Sequence, residues 1–187
     1  DGYFGEKNDD APDFIAEVYV GRLPFDNPET VEKICQKIIK FEQTDESWKE
    51  RSLLIGAFLW LKNEDNDPSY DRTDGADLME SIWDEILAQN GFECTSLYEK
   101  EGLSISYYFC DFPLTRENVI NQWKQGYGFV NWNGHGSTTS THRLYWVYDD
   151  GDGIPEGGEK SSPSFIKTSD SSLLDDDKPA IVFSCSC

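Results

Sequence analysis

Leu53-Leu54-Ile55-Gly56-Ala57-Phe58-Leu59-Trp60-Leu61 is the stretch that most restricts what this chain can become. Nine residues without one polar side chain do not lie on a water-facing surface, yet they fall far short of the ~20 that a bilayer-spanning helix needs. Such a run reads as one central strand covered on both faces. Strands of that kind belong to parallel sheets, whose crossover helices shield both sides.

The rest of the chain supplies the crossovers. Asn27 and Pro28 open a helix in which Val31, Ile34, Cys35, Ile38 and Ile39 recur at helical spacing to about Glu42, which puts Cys35 on a buried face. After the polar loop from Asn63 to Asp74, a second helix carries Leu78, Met79, Ile82, Trp83, Ile86 and Leu87 and stops at Asn90-Gly91. Thr115 caps a third helix with Val119, Ile120 and Trp123. Short strands are expected at Phe14 to Val20 and near Cys94 to Tyr98, and two further apolar runs at Tyr127 to Trp132 and Ala180 to Cys187. This alternation predicts an α/β fold with a mainly parallel sheet and helices on both faces. Residues 1–187 read as a single domain. The one compositional shift is an acidic, Gly/Ser-rich excursion over 138–177 that passes over the sheet edge.

Charge removes one class of function. Thirty-six acidic side chains against 16 basic ones give a net charge of -20, so nucleic acid is not an expected partner. Such acidity serves solubility or salt tolerance, calcium binding, or attraction of cationic substrates. Five cysteines, an odd number with no CxxC spacing, imply at least one free thiol and no zinc site. No apolar stretch reaches ~18 residues, so this chain contains no expected membrane span.

Two of the apolar runs end in reactive side chains. Tyr127 to Trp132 leads into Asn133-Gly134-His135-Gly136-Ser137, and Ala180 to Phe183 leads into Ser184-Cys185-Ser186-Cys187. A cysteine nucleophile acts as its thiolate and needs a partner to take its proton, a role that suits imidazole. His135 and Cys187 are therefore expected at neighbouring strand ends, where open α/β sheets place their ligands. Gly134 and Gly136 give the main chain conformational freedom and let a substrate carbonyl approach, so that the Gly136 amide can donate to an oxyanion. Cys185 also follows a serine, and the motif alone leaves both cysteines open. His142 has no glycine frame and reads as a surface residue. Between Asp149 and Glu159, the carboxylates of Asp149, Asp150, Asp152 and Glu156 alternate with glycines, as a loop of hard oxygen ligands for Ca²⁺ requires. The spacing is not that of an EF-hand.

Several segments, in order, resemble the gingipain-type cysteine peptidases, which share a fold with caspases and legumain. Glu17-Val18-Tyr19-Val20-Gly21-Arg22-Leu23-Pro24 and the helix end Lys37 to Glu42 are similar to that family's strand and helix. Val130 to Ser137 is similar to its histidine motif, and Lys178 to Cys187 to the strand that leads to its nucleophile. The resemblance implies a caspase-like three-layer α/β/α sandwich and a cysteine endopeptidase acting on protein or peptide substrates, without an organic cofactor. Counting from Pro179 in the family's motif favours Cys187 over Cys185 as nucleophile. Asp67-Pro68-Ser69-Tyr70-Asp71 resembles the loop whose acidic residue orients the histidine in some members, which points to Asp71 and next to Asp74. The resemblance further implies structural calcium, a secreted or cell-surface location, and a catalytic domain truncated at both ends of this sequence. The alternative is a catalytically silent, calcium-stabilised interaction module on the same fold. A flavodoxin-like binding domain ranks last, because no glycine-rich phosphate loop follows the first strand.

Overall fold

The structure, a computed structural model, describes residues 21–187. The strand expected at Phe14 to Val20 lies outside the described residues. The chain divides into two compact units after Cys35. Helix α1 (Pro28–Gln43) begins as its sequence predicts, with Asn27 Oδ1 accepting the amides of Glu29 and Thr30 at 2.9 and 3.2 Å. None of its residues is buried, however, and Cys35 is exposed. Helical periodicity identifies an apolar face; burial also requires a covering layer, which one element's pattern does not reveal.

In the second unit, the apolar run divides. Strand β1 (Arg51–Gly56) stops before Ala57, and β2 (Phe58–Trp60) turns away to pair antiparallel with β3 (Thr73–Asp74). Ala57 makes the break: its N–H donates to Asn133 O at 2.9 Å and its carbonyl accepts the Gly75 amide at 2.8 Å. The single nine-residue strand expected from hydropathy is thus two strands, because continuous burial does not register a change of hydrogen-bonding partner. Helix α2 (Gly75–Ile82) follows, capped by Asp74, whose Oδ1 accepts the Ala76 amide at 3.0 Å. It continues as a π turn over Trp83–Leu87, and Gly91 closes it at φ 78°, a left-handed value that favours glycine.

Strand β4 (Glu93–Tyr98) then pairs parallel with β1, and β5 (Phe112–Pro113) parallel with β4. Helix α3 (Arg116–Trp123) starts at Thr115, whose Oγ1 accepts the Asn118 amide at 3.1 Å, and leads into β6 (Phe129–Asn133). The excursion is ordered rather than loop throughout. It holds β8 (Ser140–His142), which pairs with the preceding β7 (His135–Gly136), then β9 (Tyr145–Trp146), β10 (Lys160–Ser161) and β11 (Ser164–Lys167). Strand β12 (Ile181–Cys185) completes a five-stranded sheet in the order β12-β6-β1-β4-β5, with every neighbouring pair parallel.

Alternation along the strands splits the core in two. Leu53, Ile55, Leu97 and Val130 pack with Leu114, Val119, Tyr127 and Phe165, beneath α3 and β11. Leu54 and Tyr98 pack with Ala76, Met79 and Leu87, beneath α2 and its π turn. The result is the caspase-like α/β/α sandwich with a mainly parallel sheet. Strand β12 differs from the expectation of a buried strand, since Ile181, Val182 and Phe183 are 48, 43 and 54% exposed. Among the described residues it is an edge strand, and both covering layers lie over β1, β4 and β6.

Candidate functional site

From β1 the chain moves outward through β4 to β5, then returns to β6 on the other side of β1. The order in which strands are added therefore reverses between β1 and β6, and the carboxyl ends of two such strands frame the crevice where open α/β sheets bind ligands. His135 follows β6 directly, and the segment Ala57 to Trp60 follows β1.

Parallel register sets the second partner. Strand β12 pairs with β6 from Ile181↔Phe129 to Cys185↔Asn133, and Gly134 donates to Cys185 O at 3.2 Å. Continued two residues, this alignment lays Ser186 and Cys187 beside Gly134 and His135, with Gly136 next along the chain. The approach is close: a Cβ on Gly136 would stand 2.2 Å from Cys187 O and 2.9 Å from Cys187 N. Gly134 is confined as well, its would-be Cβ 3.0 Å from His142 O and 3.1 Å from the Phe165 ring. Neither glycine has a positive φ. Space, not unusual backbone torsion, explains why these two positions hold glycine, which corrects the reading from conformational freedom.

The His135 ring is half-buried. Its Nε2 lies 2.8 Å from Leu59 O, and its edge meets Trp60 with ring centroids 5.9 Å apart at 84°. Trp60 stacks on Tyr70 at 4.4 Å and 11°. Tyr70 is held by its loop, where the Asp67 carboxylate accepts the Ser69 amide at 2.9 Å and the Tyr70 carbonyl accepts the Asn63 amide at 3.0 Å. The Leu59 carbonyl, Trp60 and Tyr70 were not identified from sequence. A main-chain carbonyl leaves no trace in composition, and Trp60 is indistinguishable from its apolar neighbours.

The candidate acids differ in their surroundings. Asp71 is exposed, and its main-chain carbonyl accepts the Thr73 hydroxyl at 3.2 Å. Asp74 is buried and occupied, capping α2 while Arg72 Nη2 donates to its Oδ2 at 3.0 Å. His142 lies across β7/β8 from His135, with Nε2 2.8 Å from Ser140 Oγ and Nδ1 3.1 Å from Ser162 O.

Cysteine environments are equally distinct. Cys185 and Cys187 are exposed, whereas burial pushes the Cys94 thiol up to about 12, with the charges of Asp111 and Glu80 adding to the shift. A thiol so raised is a poor nucleophile at neutral pH.

In the acidic loop, one carboxylate oxygen each from Asp149, Asp150 and Asp152 lies within 4.8 Å of the others. That spacing fits three oxygens around one Ca²⁺ at its usual ~2.4 Å ligand distance. Gly151 and Gly153, at φ 115° and 75°, make the bends between them. Asp149 Oδ1 accepts the Gly151 and Gly153 amides, and these bonds hold its carboxyl below the usual range. Glu156 does not join the trio. Glu159 is instead the buried carboxylate, accepting Trp146 Nε1–H at 3.1 Å and the Asp150 amide at 2.7 Å. Next to it, Lys160 Nζ bridges Glu64 at 2.6 Å and Asp65 at 2.8 Å, tying this region to the loop that carries Tyr70.

A cavity of about 460 Å³ opens at the opposite edge of the sheet, among Phe41, Lys49, Phe92, Phe129 and Ile181. Phe129 and Ile181 begin their strands, so this space lies away from the carboxyl ends that bear His135 and Cys187.

The sequence model of peptidase family C25 matches residues 1–187. No curated protein matches the chain. Among solved structures, the crystal structure of the Arg specific cysteine proteinase gingipain R (RgpB) is similar, with a TM-score of 0.55 and 18% identity over 87% of this chain and 30% of that one. The complex of the Porphyromonas gingivalis RgpB pro- and mature domains is similar with a TM-score of 0.55 and 19% identity, over 91% of this chain and 33% of that one. The chain thus spans about a third of the length of the solved structures it matches.

Proposed function

The chain belongs to peptidase family C25, and from that premise we propose that it cleaves peptide bonds by covalent thiol catalysis, with Cys187 as nucleophile and His135 as proton carrier. The observation that carries this reading is the β6/β12 register, with Gly134 bonded to Cys185 O and the Gly136 Cα packed on the Cys187 main chain.

In the proposed cycle the Cys187 thiol gives its proton to His135, and the sulfur attacks the scissile carbonyl carbon. The carbonyl π electrons move to oxygen, where the amides of Gly136 and Cys187 receive the charge. Collapse restores the carbonyl and breaks the C–N bond, and the protonated His135 delivers its proton to the leaving amine. Water, deprotonated by His135, then attacks the thioester. Collapse of that second adduct expels the Cys187 sulfur, which regains the proton, and releases the acid. Protein or peptide substrates suffice, and no organic cofactor enters.

Asp149, Asp150 and Asp152 are the residues we assign to a structural Ca²⁺, which would supply charge neutralisation to the acidic loop and no chemistry at the thiol. We place the protein outside the cell or at its surface, as the likeness to gingipains implies. The test is cleavage of quenched-fluorescent peptides by the full chain. Cys187→Ala and His135→Ala should each lower kcat/KM by about 10⁴-fold, and Cys185→Ala should retain activity. A well-folded chain on which neither substitution has an effect, or one that turns over no peptide and whose Cys187 is no more reactive than Cys185, would favour the silent interaction module.

A further inference from the structure

Among the described residues both histidines contact a main-chain carbonyl, and they do so through opposite nitrogens. His135 uses Nε2, 2.8 Å from Leu59 O, whereas His142 uses Nδ1, 3.1 Å from Ser162 O. A carbonyl oxygen only accepts, so the ring nitrogen in each contact carries the proton. A neutral imidazole has a single N–H, so its other nitrogen presents a lone pair. His142 agrees with this assignment, because its Nε2 has the Ser140 hydroxyl at 2.8 Å as a donor. For His135 the same logic leaves Nδ1 as the base.

We propose that the Leu59 main-chain carbonyl is the positioning group for His135, fixing the Nε2–H tautomer and presenting Nδ1 for proton transfer, in the place expected for the Asp71 carboxylate. The carbonyl is available because the apolar run breaks at Ala57. Had β1 continued straight, Leu59 would have been one more ladder residue. Instead Ala57 is bonded to Asn133 and Gly75, and the chain is redirected into β2, which pairs with β3. The contact joins the His135 side chain to main chain across the crevice, and Trp60, braced by Tyr70, closes on the ring edge. Orientation therefore depends on the fold of the β1–β2 corner, not on a charged side chain.

The catalytic meaning of this contact rests on the function proposed above, but the tautomer does not, and it can be read without turnover. The experiment is long-range ¹H–¹⁵N correlation of the imidazole rings in the ¹⁵N-labelled full chain carrying Cys187→Ala, so that no thiolate holds the ring protonated. The pH is set at about 8.5, two units above the ordinary imidazole value. His142→Gln assigns the two rings. The expected result is the Nε2–H pattern for His135 and the Nδ1–H pattern for His142, with His135 unchanged by Asp71→Asn. An Nδ1–H pattern for His135, or one that Asp71→Asn converts to a mixture of tautomers, would overturn the assignment to Leu59. The predicted pattern in a chain without peptidase activity would leave the positioning contact standing and remove only the function.

Discussion

At Gly136 an added methyl group has nowhere to go, since its carbon would fall 2.2 Å from Cys187 O. The segment that yields is the exposed end of β12, so Gly136→Ala should displace the proposed nucleophile, Cys187, more than it unfolds the protein. We expect a fall in kcat/KM of about 10²-fold with little change in thermal midpoint. Gly134→Ala should do the reverse, costing ~1–3 kcal/mol of stability by pressing on Phe165 and the His142 carbonyl inside the core. Cys94 makes a pH-dependent prediction. Its thiol is pushed up to about 12 from 9.0, so the folded state keeps that proton longer than the unfolded chain does. Its contribution is fully present below the unfolded value and declines as pH rises from about 9 toward 12. Urea midpoints should therefore fall less steeply across that range in Cys94→Ala, with a residual slope from Tyr98, whose phenol is pushed up by burial and by its hydrogen bond to Glu80. At this scale the sequence displayed His135 and Cys187 because glycines and a strand end frame them. The groups around the imidazole were not legible, being a carbonyl and two aromatics supplied by other segments.

Among the elements, ion pairs fasten the excursion to the sheet. Arg143 is nearly fully buried, with Nε and Nη2 donating to Glu99 at 2.7 and 2.6 Å and Nη2 also 2.9 Å from Glu101. Burial alone would lower its pKa, yet the bonds and charges of Glu99 and Glu101 hold it above the ordinary value. Arg143→Met should cost about 3–5 kcal/mol in chemical denaturation, because it strands a buried carboxylate. Adding Glu99→Gln should recover part of that loss. The acidic loop responds to pH in the opposite sense from Cys94. Asp149 is depressed by the Gly151 and Gly153 amides, so its contribution is present above the ordinary carboxylate value and is lost as pH falls through the depressed one. With the calcium site proposed at Asp149, Asp150 and Asp152, calcium at 100 times its Kd should raise stability by about 2.7 kcal/mol, an increase that Asp150→Asn should diminish. Helix starts at Asn27 and Thr115 were plain in the sequence, because a cap is a local bargain between a side chain and nearby amides. The break at Ala57 and the exposure of β12 were not, because both depend on which neighbour a segment meets.

For the whole molecule, charge and topology set the behaviour. A net charge of -20 repels itself in the compact state, and ion pairs such as Lys37–Asp176 and Lys40–Asp177 are exposed and offset little of it. The thermal midpoint should rise as salt shortens the screening length from ~30 Å at 0.01 M to ~10 Å at 0.1 M. A midpoint that falls with salt would mean that surface ion pairs outweigh the repulsion. Strand-helix alternation made the parallel sandwich legible, since parallel neighbours need crossovers. The strand order, which places the reversal between β1 and β6, was set by long-range pairing and is what creates the crevice. On the proposed function, this crevice activates one thiol, that of Cys187. The most direct test is peptide-resolved mass spectrometry after brief treatment with an electrophilic peptide probe, in the wild-type chain and in His135→Ala. Labelling concentrated on Cys187 and lost without His135 is the predicted result; equal labelling of Cys35, Cys185 and Cys187, or labelling of Cys187 indifferent to His135, would contradict it.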